Sequence, residues 1–102
     1  MRKRYSQDDI KKITEIAKVI GDYHTLMILI ELIECGEKSF NELKRMTQIN
    51  QVTLSRKLND LKQKGLVESD KIGIENHYRI TDKAEEYRCF ADMIESIALG
   101  KA

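Results

Sequence analysis

Leu54, Leu58 and Leu61 constrain the chain more than any other residues. Their spacing of four and three places Leu58 and Leu61 within about 40° of Leu54 on an α-helix turning about 100° per residue. Asn50 precedes this stretch as a good N-cap, and Gly65 follows it where a helix end favours a left-handed residue. The pattern predicts a helix over about 51–64 with one dry stripe. The opposite face carries Val52, Arg56, Asn59 and Gln63, with Ser55 beside them. Thr53, Lys57, Lys62 and Lys64 fall on the flanks.

The neighbouring segments supply what that stripe packs against. Ser6 and Asp9 have capping-box spacing at the start of a first helix, about 6–20, in which Ile10, Ile13, Ile16, Ala17 and Ile20 recur with helical period. Asp22 caps a second helix to about residue 34 that is apolar on most sides, which predicts burial on several sides. Ser39 and Phe40 read as a short extended segment, followed by a third helix at about 41–46 with Leu43 and Met46 inward and a turn at 47–50. Residues 66–69 and 77–80 read as strands joined by a turn at 73–76. A last helix at about 82–99 follows Thr81. The fold class expected is mainly α with a small β-hairpin, a winged helix-turn-helix with a long C-terminal dimerisation helix. The 102 residues suit a single domain: helix-turn-helix at about 41–64, wing at about 66–80, and dimerisation helices at about 6–20 and 82–99. The last helix would span roughly 27 Å, longer than so small a core needs. Ile10, Ile13, Ile16, Tyr87, Phe90, Ile94 and Ile97 are therefore the expected homodimer interface.

A net charge of +1 does not by itself indicate nucleic acid, but the charge is unevenly spread. Between residues 44 and 64 six basic residues face one acid, Asp60, whereas residues 82–95 are net acidic. On the outward face of the fourth helix, Arg56 can pair with both guanine acceptors, Asn59 and Gln51 with adenine, and Val52 can meet a thymine methyl. Gln51, Val52, Ser55, Arg56 and Asn59 are the expected base-reading residues. Ser39, Asn41, Lys44, Arg45, Thr53, Lys57, Lys62, Lys71 and Arg79 are the expected contacts to the DNA backbone, where position is fixed without reading sequence. The partner expected is double-stranded DNA, at a palindromic operator if two copies bind together. The alternative is a winged-helix module that binds protein within a transcription complex, its basic face serving solubility.

Other functional classes find little in the chain. His24 and His77 lie far apart without Cys or carboxylate at ligand spacing, and no glycine-rich phosphate loop occurs, so no enzyme, metal or cofactor is expected. Cys35 and Cys89 are expected to be inert and mostly buried rather than a disulfide or redox pair. The basic start, Arg2 to Arg4, is followed by polar residues instead of an apolar run, and the longest apolar stretch, 26–30, is too short to cross a bilayer. A cytoplasmic location with no membrane association is expected.

Over residues 20–86 the sequence resembles the HxlR-type winged-helix regulators, relatives of the MarR type. The stretches that carry the resemblance are 20–29, 39–45, 49–58, 65–68 and 78–84, in that order and spacing. The resemblance implies a homodimer held by the first and last helices, with two recognition helices in successive major grooves and control of nearby genes. By position it implies DNA contacts at Thr53, Ser55 and Arg56. Family members often have Trp where His24 stands, and many carry a thiol-sensing cysteine near Lys11, which cannot serve that role.

Overall fold

The computed structural model describes residues 5–100, without the side chains of residues 20, 86–91, 93 and 94. Eight elements follow one another: α1 (Gln7–Gly21), α2 (Tyr23–Cys35), β1 (Lys38–Ser39), α3 (Phe40–Thr47), α4 (Gln51–Gln63), β2 (Val67–Ile72), β3 (Glu75–Ile80) and α5 (Asp82–Leu99). Every helix opens on a side-chain cap. Ser6 with Asp9 and Ser39 with Glu42 form complete capping boxes, and Asp22, Asn50 and Thr81 accept from backbone N–H groups of the helices they precede. These caps hold the orphan donors that each helix start would otherwise leave unpaired.

The core lies between α2, α3, α4 and the sheet. Ile28 and Leu32 of α2, Leu43 of α3, Leu54, Leu58 and Leu61 of α4, and Leu66 are fully buried. Val19, Leu29, Ile49, Val67 and Ala84 complete the cluster, and Tyr78 lies at its edge. The helix-turn-helix corner is held from within. Thr47 Oγ1 donates to the Leu43 carbonyl at 2.7 Å and accepts from the Ile49 N–H at 3.3 Å. Gln48 takes a left-handed φ of 60°, rare for a residue with a Cβ, and its Nε2 donates to the Arg45 carbonyl at 2.8 Å. Met46, expected inward, is exposed; the tight turn gives its place to Thr47 and Ile49.

The sheet has three antiparallel strands in the order β1-β3-β2. The expected hairpin is present, and it is joined by β1, which pairs Lys38 with Tyr78 and Ser39 with His77. The hairpin runs further than expected, to Ile72 opposite Glu75, leaving Gly73 and Ile74 as a two-residue loop. Such loops require positive φ, and Gly73 supplies it at 64°. Phe40, expected extended, opens α3 instead, because the Ser39 capping box starts the helix one residue earlier. Thr81 then ties α5 to the end of α4: its Oγ1 donates to the Gly65 carbonyl at 2.6 Å and its N–H to the Leu66 carbonyl at 3.0 Å. No helix among the described residues is long and apolar enough to cross a membrane.

Candidate nucleic-acid interface

The buried stripe of α4 fixes the direction of everything else on that helix. Leu54, Leu58 and Leu61 are at most 1% exposed, so the opposite face is turned fully outward. Gln51, Val52, Ser55, Arg56 and Asn59 are all exposed there and together line a shallow depression. Val52 is 66% exposed, an apolar side chain held in solvent at the start of a helix. Lys44 of α3 reaches across the corner to Gln51 Oε1 at 3.4 Å, joining the two helices on this face. Lys44, Arg45 and Lys62 are exposed around it, and Thr53 is half-buried.

Three of the expected backbone contacts are engaged within the protomer. Ser39 is only 3% exposed, since its hydroxyl accepts from the Glu42 N–H inside the β1–α3 junction. Lys57 points to the other side of α4, where its ammonium meets Asp22 Oδ1 at 3.1 Å. Arg79 is enclosed by carboxylates: it donates to Asp70 at 2.6 Å and lies 3.5 Å from Glu68 and 4.0 Å from Glu37. A guanidinium so matched offers little net charge to a phosphate. Asn41 is exposed, and its amide donates to Glu75 at 3.3 Å. Lys71 is exposed near the wing tip, next to Ile72 and an Ile74 that is 94% exposed.

The acids around Arg79 were missed by sequence reasoning. A two-residue loop at Gly73 and Ile74 would have revealed one of them, because it sets Glu68 directly opposite Arg79. The four-residue turn expected at 73–76 shifts the register and hides that pair.

The model of the family described as HxlR-like helix-turn-helix matches residues 19–98. The chain belongs to this family. HxlR-like proteins are transcriptional regulators with a winged helix-turn-helix. An uncharacterized HTH-type transcriptional regulator of Methanocaldococcus jannaschii is 42% identical over 76 residues, covering 71% of this chain and 81% of that protein. Among solved structures, the transcriptional repressor BigR from Xylella fastidiosa is 27% identical with a TM-score of 0.74, covering 91% of this chain and 96% of that one. A homodimeric winged helix-turn-helix DNA-binding domain from Mycobacterium bovis, a possible ArsR-family regulator, is 25% identical with a TM-score of 0.70. That likeness covers 96% of this chain and 90% of the other.

One cysteine of this HxlR-like chain departs from expectation. Cys35, expected mostly buried, is exposed at the end of α2. Partial desolvation and the neighbouring Glu31 hold its thiol above the ordinary range, which disfavours the reactive thiolate. Cys89 lies outside the described side chains, as do Tyr87, Phe90 and Ile94 of the expected dimer interface. On the described part of that interface, Ile10, Ile13 and Ile97 are exposed and Ile16 is half-buried. Among the described residues no group of three His, Cys, Asp or Glu side chains could hold a metal ion.

Proposed function

We propose that this protein is a sequence-specific regulator that binds double-stranded DNA as a homodimer, with α4 of each protomer in the major groove. The observation that carries this reading is the outward row Gln51, Val52, Ser55, Arg56 and Asn59, held rigidly by the buried leucines behind it. Its donors, acceptors and one apolar tip match what base edges offer in a major groove. Lys44, Arg45 and Lys62 flank the row and would grip phosphates, with Thr53 at the helix start and Asn41 on α3 as weaker contacts. Of the two expected wing contacts, Lys71 is the one whose side chain is left to reach the backbone. The repressor and the homodimeric DNA-binding domain among its structural relatives support the same reading. We further assign the whole chain to one domain acting in the cytoplasm.

The wing supports a narrower second reading. Its carboxylates around Arg79 and its exposed Ile72 and Ile74 suit contact with protein better than contact with phosphate. Selection of bound sequences from random duplex DNA, followed by footprinting of the winner, separates the two. A palindromic site protected on one face of the duplex is the expected result. Recovery of no enriched sequence at low salt would leave the protein-binding module as the better account.

A further inference from the structure

We propose that a cleft on the other side of α4 binds a small phosphorylated, hydroxyl-bearing molecule. The cavity, about 660 Å³, lies where the end of α1, the start of α2, the second half of α4 and the start of α5 meet. Val19 and Leu61 are buried beneath it. Lys18, Lys57, Lys64 and Lys83 bring four ammonium groups to it from three separate stretches of chain. Glu15, Asp22 and Asp60 border the same cavity, so four ammonium groups and three carboxylates share one concave site, and its lining can meet an anionic group and hydroxyl groups together.

The lysines are differently occupied. Lys57 is paired with Asp22 at 3.1 Å, and Lys83 Nζ donates to the Lys64 carbonyl at 3.0 Å. Lys18 and Lys64 make no side-chain hydrogen bond or ion pair among the described residues. A phosphate monoester, carrying about two negative charges and several acceptor oxygens, matches such a set better than a singly charged carboxylate. Glu15, Asp60 and Gln63 also border the cavity and have no side-chain partner among the described residues. They can accept from ligand hydroxyls. The lining is mainly polar, which disfavours a lipid or a plain aromatic ring.

The site also has a route to the reader helix. Its walls are α4 on one side and α1 with α5 on the other, joined by the Lys57–Asp22 and Lys83–Lys64 ties. A ligand that draws either lysine to itself changes how α4 is held against the remaining helices. This coupling rests on the DNA-binding reading above; the site itself does not.

The test is a backbone NMR titration of the full chain with ribose 5-phosphate, with ribose and inorganic phosphate as separate arms. The expected result is saturable shifts at residues 18–25 and 57–64, with ribose 5-phosphate binding about tenfold or more tightly than inorganic phosphate. The exposed pair Lys18→Ala/Lys64→Ala, whose side chains tie no helices together, should weaken binding by about tenfold or more, through loss of charge-assisted contacts, with the rest of the spectrum unchanged. No saturable shift, equal binding of inorganic phosphate, or undiminished binding by the double variant would overturn the site. Saturating ribose 5-phosphate should also change DNA affinity about fivefold in the unmodified protein and not in the variant. An unchanged DNA affinity overturns the coupling alone. Because the titration is read without DNA, failure of DNA binding tells against the proposed function and leaves the cleft standing.

Discussion

Under the proposed function, Arg56 is the residue on which sequence reading would turn. It is exposed in the middle of the outward row, one turn from both Val52 and Asn59, and its fork geometry suits guanine. Arg56→Ala is expected to cost about 1–3 kcal/mol at one base position and to relax preference there alone, as read by binding to a panel of single-base operator variants. Lys62→Ala should instead weaken binding evenly across the panel and lower the salt slope by about one. Lys57 distinguishes the structure from the helical wheel. The wheel sets it on the flank of the row, whereas the structure turns its side chain to Asp22 on the other side of α4, so Lys57→Ala should leave the salt slope unchanged.

At the scale of elements, the junction of α1, α2 and α4 depends on one carboxylate. Asp22 caps α2 through the Thr25 N–H at 2.9 Å, accepts from the Thr25 hydroxyl at 2.6 Å, and meets Lys57 of α4. The Thr25 hydroxyl bond, with help from the Thr25 N–H and Lys57, lowers its pKa from 3.8 to about 2. A folded pKa below the unfolded one means the stabilisation is complete above the unfolded value and is lost as pH falls toward the folded one. Asp22→Ala should therefore lower stability by about 1 kcal/mol near neutral pH. In denaturant melts the gap to the unmodified protein should narrow as pH drops from 3.8 toward 2. A gap independent of pH would show that the charge of Asp22 contributes nothing. The elements themselves were legible because their signals are local: Ser6, Asp22, Ser39, Asn50 and Thr81 mark five helix starts, and the leucine spacing gives α4 its inward face. What escaped was pairing between elements. The strand register, the carboxylates around Arg79 and the Lys57–Asp22 tie each depend on which distant residues the fold brings together, and no periodicity records that.

The whole molecule is longer than its size requires. Its radius of gyration is 15.0 Å, against about 13 Å for a compact chain of this length, and its extents are 56 × 31 × 22 Å. The excess accords with the 18 residues of α5, which contact α1 and β3 but run well past the core. Apolar side chains are left in solvent along these two helices: Ile10 and Ile13 on α1, Ile97 and Leu99 on α5, with Ile97 at 77% exposure. A symmetric copy laid against the same helices would cover them and would set two α4 helices side by side, about 34 Å apart for adjacent turns of one duplex face. Light scattering at micromolar concentration should therefore give twice the 11.9 kDa chain mass. Because Ile13 and Ile97 are exposed within the protomer, Ile13→Glu/Ile97→Glu should leave its helical circular dichroism intact while reducing the mass to that of one chain. The same variant should bind a single half-site as before and lose the gain in affinity that a palindrome confers, since that gain requires both reader helices to be held in one body. An unmodified protein that scatters as a monomer would remove the dimer, and with it the reason for a two-fold operator.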